Sequence, residues 1–150
     1  MHAAVLGLVD DADVVIKAAA VADFRPATAS TSKLKKSAGV PVVELERNPD
    51  ILMDVVARRG GGTVPLVVGF AAETDDVEAE GRAKLERKGA DLLVVNDVSG
   101  DDAGFAVDTN RVVILARDGG RLEVPLASKR EVADHILDEV VARVPRLPGS

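Results

Sequence analysis

Three short runs of small or apolar residues end in acids: Ala19-Ala20-Val21-Ala22-Asp23-Phe24, Gly69-Phe70-Ala71-Ala72-Glu73 and Val95-Asn96-Asp97. In open parallel sheets, ligands bind beyond the carboxyl ends of the strands. Small residues there let a ligand approach the backbone. The acids suit a metal ion, a ribose hydroxyl or a base amine. Strand ends also carry Ala, Gly and Asp simply as turn formers. Each run taken alone is balanced between the two readings, and three at one rim favour a site.

Basic groups form two further clusters. Lys33, Lys35 and Lys36 lie within four residues, a positive patch in an otherwise acidic chain. Lysine on a loop is a flexible point charge that suits a phosphate chain, although a solvated charged loop is the more common case. Lys84 and Lys88 are four apart and share a helix face, where Glu80 and Glu86 offer ordinary helix pairs. Phe70 suits stacking on a base, but a core phenylalanine is commoner. Neither G-x-x-x-x-G-K-[ST] nor G-x-G-x-x-G occurs, so the two usual glycine-rich phosphate fingerprints do not apply.

Composition limits the chemistry. The 150 residues contain no cysteine, which removes thiolate metal sites, cysteine nucleophiles and disulfides. The two histidines, His2 and His135, stand far apart, which argues against a zinc site or a Ser-His-Asp triad; His135 reads as structural. A net charge of −6, from 19 basic and 25 acidic side chains, disfavours nucleic acid as a partner. Phe24, Phe70 and Phe105 are the whole aromatic complement, too few for a base-stacking platform. No apolar run approaches the ~20 residues that span a membrane. No signal-peptide pattern opens the chain, so a cytoplasmic protein is expected.

The elements that must position these groups alternate between strand and helix. Val14 to Ile16 reads as a buried strand opening into the small residues 18–22. Residues 27–32 form a Ser/Thr-rich loop, and 40–45 a strand. Asn48 before Pro49 predicts a capped helix over 49–58. Leu66 to Phe70 is a strand, and 75–88 a helix with acids in its first turn and Lys84, Arg87 and Lys88 in its last. Gly89 stops it. Asp91 to Val95 is a third buried strand, followed by a polar loop over 99–109. Asp118-Gly119-Gly120 joins 110–116 to 121–125 as a hairpin. Ser128 and Glu131 form a capping box for a helix over 128–144, with an apolar stripe at 132, 133, 136, 137, 140, 141 and 144. The expected fold is a single-domain, three-layer α/β structure, Rossmann-like (ribokinase-like), with a mostly parallel sheet and an antiparallel edge hairpin. The first residues read as the end of an amphipathic helix with no strand before it. The chain is therefore expected to be the later part of a larger domain.

In order, AAAVADFRP (18–26), KLKK (33–36), NPDIL (48–52), VGFAAET (68–74), KGADLLVVNDVS (88–99) and Gly104-Phe105 resemble phosphopantothenate–cysteine ligase. In many bacteria that family forms the carboxy-terminal half of a bifunctional coenzyme A biosynthesis protein. The resemblance implies CTP-dependent joining of 4′-phosphopantothenate and L-cysteine through an acyl-cytidylate. It implies nucleotide binding by Asp23, with magnesium nearby, and by Lys33 from a flap, the lysine to which catalysis is assigned. It further implies a cytidine pocket lined by Pro49, Asp50, Ile51, Leu52 and Phe70, with Lys84 and Lys88 binding nucleotide from their helix. Asn96 and Asp97 receive no role. A homodimer is implied, and Val112, Ile114 and Leu122 are candidates to join a partner strand. FMN belongs to the decarboxylase half, which is not represented. The family's earlier glycine-rich turn and Asn-Arg-Ser-Ser-Gly-type stretch also lack a counterpart, so an amino-terminally truncated ligase domain, inactive alone, is expected. The competing readings are a non-catalytic nucleotide-binding module and a flavin-linked decarboxylase or nicotinamide enzyme on a related fold.

Overall fold

The computed structural model describes residues 1–30, 32, 40–99 and 108–144. In chain order its elements are α1 (His2–Leu6), a 3-10 turn (Val9–Asp11), β1 (Val14–Ile16), β2 (Phe24–Pro26), β3 (Leu45–Arg47), α2 (Ile51–Arg59), β4 (Leu66–Glu73), α3 (Val77–Lys88), β5 (Leu92–Asp97), β6 (Thr109–Ala116), β7 (Arg121–Ser128) and α4 (Lys129–Val141). They gather into two units, one of residues 1–18 with 51–150 and one of residues 19–50.

The larger unit is built on a five-stranded sheet in the order β1-β4-β5-β6-β7. β1, β4 and β5 are parallel; β6 and β7 continue antiparallel. The central strands are near-continuous apolar runs because both faces are covered, the pattern of buried parallel strands. On one face Leu66, Val68, Leu92, Val94, Val112 and Ile114 pack against Val132, Ile136 and Val140 of α4. On the other, α2 and α3 bury Leu52, Val55 and Leu85. This is the expected three-layer α/β arrangement.

α3 begins at Val77, because Asp76, with φ 37°, accepts the Ala79 N–H and acts as its N-cap. Gly89, with φ 69°, closes the helix and donates to the Leu85 and Glu86 carbonyls. The Ser128–Glu131 capping box is formed at the start of α4. That helix ends at Val141 rather than 144, and only part of its apolar stripe is inward: Leu137 and Val141 are 49% and 75% exposed. His135 is likewise exposed.

The smaller unit departs further from expectation. Its strands are Phe24–Pro26 and Leu45–Arg47, paired antiparallel, so the strand expected over 40–45 falls mostly outside regular structure. The helix expected over 49–58 runs instead from Ile51 to Arg59. Asn48 does not cap it; its side chain is bonded within the smaller unit. The hairpin over β6 and β7 forms, but β6 is an interior strand. Val112 and Ile114 are 0% and 1% exposed in the core beneath α4 and cannot join a partner strand; β7, with half-buried Leu122, is the edge.

Gly69 sets the distance between β4 and α2. A Cβ there would lie 2.7 Å from Leu52 Cδ2 and 3.1 Å from Leu93 Cδ1. Gly69→Val is expected to lower stability by ~1–3 kcal/mol through overpacking, more than any β-propensity gain offsets. Urea midpoints measure this. A variant as stable as the parent would mean that the contact is not a constraint.

Candidate functional site

Polar bonds order the smaller unit. The Asn48 N–H donates to the Asp23 carbonyl at 2.8 Å, and Asn48 Nδ2 donates to the Ala22 carbonyl at 2.7 Å. Asn48 Oδ1 in turn accepts from Arg25 Nη1 at 3.0 Å, while Arg25 Nε donates to Glu46 at 2.7 Å. Asn48 thus latches the Ala22–Asp23 backbone to the segment leading into Pro49 and Asp50. Two separate sequence clusters meet here through a residue that sequence reasoning took for a helix cap. The Arg47 guanidinium lies 5.8 Å from the centre of the Phe24 ring. Asp23 is exposed and directly precedes β2, seven residues beyond the end of β1, so it is not a tip of that strand. Lys33, Lys35 and Lys36 lie outside the described residues, as do Gly104-Phe105 and most of the loop expected over 99–109.

In the larger unit the carboxyl ends of β4 and β5 form one rim. Residues paired across a sheet share a face, so Glu73, Asp97 and Arg111 form one row on the α2/α3 side. Glu73 is ion-paired with Lys84, which reaches it from α3. This replaces the helix pair expected with Glu80. Asp97 accepts from the Ser99 hydroxyl at 2.6 Å and the Ser99 N–H at 3.0 Å, with Arg111 at 3.7 Å. These bonds, the hydroxyl first, hold the Asp97 carboxyl below its ordinary 3.8, against the smaller opposing effect of burial.

The opposite face of the same rim is different. Ala72, Asn96 and Val112 form its outermost paired row, and Phe70, Val94 and Ile114 the next paired row on that face. Phe70 is half-buried and packs on the core beneath α4. Phe70 and Lys84 therefore stand on opposite faces of the sheet. Ile51 and Leu52, at 4% and 5% exposure, belong to the core. Lys88 ends α3, about 16 Å of helix axis from Val77, toward the amino ends of the strands. Among the described residues no three His, Cys, Asp or Glu side chains are grouped to hold a metal ion. Nor, among the described residues, is any helix long and apolar enough to cross a membrane.

Residues 1–144 match the family model of the DNA/pantothenate metabolism flavoprotein C-terminal domain. The chain belongs to this family. It is 46% identical over 142 residues to the coenzyme A biosynthesis bifunctional protein CoaBC of Bacillus subtilis, covering 95% of this chain and 34% of that one. It is 49% identical over 138 residues to CoaBC of Mycobacterium tuberculosis, covering 87% and 33%. Among solved structures, it resembles the C-terminal domain of a CoaBC with a TM-score of 0.69 at 38% identity, over 92% of this chain and 58% of that one. The chain thus spans about a third of the length of these curated relatives.

Two outcomes follow from the geometry. The Ser99 donors and Arg111 favour the ionised Asp97 carboxylate over its protonated form. Its contribution to stability is therefore complete above the ordinary carboxylate value and is lost as pH falls from there through its lower folded value. An NMR titration should place the Asp97 midpoint below 3.8, and Ser99→Ala should raise it; an unmoved midpoint would discard the hydroxyl as the main cause. Asn48→Ala removes the Nδ2 bond and should speed amide exchange at residue 48 about fivefold, the equivalent of ~1 kcal/mol. Unchanged exchange would mean that the side chain is no latch.

Proposed function

We propose that this chain is a phosphopantothenate–cysteine ligase domain of coenzyme A biosynthesis. It would use CTP to join 4′-phosphopantothenate and L-cysteine, in a homodimer, with a flavoprotein decarboxylase that carries FMN as its companion in a longer protein. The observation that carries this reading is the Asn48 latch, which joins the AAAVADF and NPD clusters, in a chain whose family match runs over residues 1–144.

In the proposed first step a carboxylate oxygen of phosphopantothenate attacks the α-phosphorus of CTP. The bond to the β-phosphate oxygen breaks, and pyrophosphate leaves an acyl-cytidylate. In the second, the cysteine amine attacks the acyl carbon, loses a proton and expels CMP. Both steps concentrate negative charge on phosphate oxygens, and cations placed in advance stabilise it. Lys33 is assigned to the nucleotide phosphates. Lys84 and Lys88 are assigned to the same ligand from α3, and Lys84 would exchange Glu73 for phosphate oxygens. Pro49 and Asp50, the Ile51 and Leu52 backbone and Phe70 are assigned to the cytidine. Magnesium would enter with the triphosphate; its preference for one or two carboxylates plus phosphate oxygens fits the exposed Asp23 carboxylate.

Titration calorimetry with magnesium tests this. The chain should bind CTP in preference to ATP. Asp23→Asn and Lys33→Gln should each weaken CTP at least about tenfold, or ~1.4 kcal/mol. Asp23→Asn, at an exposed position, should alter stability by less than ~0.5 kcal/mol. Equal affinity for the two nucleotides, or unchanged CTP binding in both variants, would reject the assignment.

A further inference from the structure

Asn96 is the one uncharged polar residue in its row at the rim of the sheet, and its amide oxygen is not satisfied. Its Oδ1 is buried and has no hydrogen-bond partner among the described residues. Its cross-strand neighbours, Ala72 and Val112, offer no side-chain donor, and Val94, two residues earlier on the same face, is wholly apolar and buried. An unmet buried acceptor is costly, and an apolar side chain of the same shape would remove the cost. The residue as a whole is only partly buried and borders exposed Ala72, so its amide spans the boundary between the core and the open rim.

We infer that the Asn96 side-chain amide is a substrate-recognising group: it pairs with an uncharged ligand group that both donates and accepts hydrogen bonds, an amide or a hydroxyl. The position favours this class over phosphate or carboxylate. The charged groups of the rim strands, Glu73, Asp97 and Arg111, lie in a row on the other face, whereas Asn96 stands beside Ala72, above Val94 and diagonal to Phe70. A neutral arm lying along this face meets apolar surface and one amide. This rests on the proposed ligase reading, in which two ligands carry such a group: the pantothenate arm of 4′-phosphopantothenate, and the base and ribose of CTP.

The test compares the chain with Asn96→Leu by thermal melting and by titration with magnesium–CTP and with 4′-phosphopantothenate separately. Asn96→Leu should melt at the parent temperature or above it, and should bind one of the two ligands at least about tenfold more weakly. The ligand that is weakened is the one the amide recognises. Unchanged binding of both ligands by Asn96→Leu overturns the inference while leaving the ligase reading intact. A clear fall in melting temperature also overturns it, because the amide would then be structural. If the unsubstituted chain binds neither ligand, the ligase reading fails and this inference fails with it.

Discussion

The contact between Leu52 and Gly69 governs how this fold presents its candidate ligand-binding residues. The Leu52 methyl groups fill the space that a Cβ at position 69 would need. Helix α2 can therefore lie close on β4, and its first residues become core. Gly81 does the same for α3, where a Cβ would meet Val95 and Leu115 at 2.7 Å. Interiors packed at crystal-like density transmit such constraints rather than absorb them. The glycine of VGFAAET and the leucine of NPDIL thus belong to one interlock, though nearly twenty residues apart. Their reason in the sequence is steric.

The alternation of a β-strand turns this scaffold into a rim with two characters. Residues 73, 97 and 111 face α2 and α3 and carry charge; 72, 96 and 112 face the α4 side and do not. A shift of one residue in any strand would exchange the two sets. Register is held by buried Val and Leu on both faces of β4 and β5, so it is strongly specified. A ligand with an ionic end and a neutral end can be accommodated by such a rim without placing a charge against apolar surface. The Lys84–Glu73 pair keeps a partly buried ammonium matched. Removing one partner of such a pair without replacement is costly.

The larger unit was legible from sequence because its signals are local and mutually consistent. Continuous apolar runs marked β4 and β5, Gly89 marked the end of α3, Asp-Gly-Gly marked the hairpin, and Ser128 with Glu131 marked the start of α4. The errors came where a residue had two local uses. Asn48 before Pro49 is a sound cap signal, yet its amide finds the Ala22 carbonyl 26 residues away. No helical or strand period predicts that bond. Lys84 has Glu80 one turn earlier, but the closer partner is Glu73, which the return of α3 across the sheet supplies. Val112 and Ile114 read as edge residues because a hairpin was expected at the border, whereas β6 pairs on both sides. The unmet oxygen of Asn96 had no sequence signal, since it depends on which neighbours the register places around it.

The smaller unit is held by a different kind of force. None of its described residues is buried, and Val42, Val43 and Leu45 are 90%, 60% and 61% exposed. A two-stranded ribbon alone buries too little apolar surface for independent stability. Its order rests instead on directional bonds from Asn48 and Arg25 to backbone and carboxylate groups, each contributing ~0.5–1.5 kcal/mol net. Segments stabilised in this way open locally at low free energy, and ligand-binding elements are commonly drawn from them. A ligand held by Asp23 would meet a segment whose backbone is already latched at Ala22 and Asp23, so less ordering entropy is lost on binding. The core fixes where the rim lies, and a few hydrogen bonds outside the core fix how far Asp23 is prepared in advance.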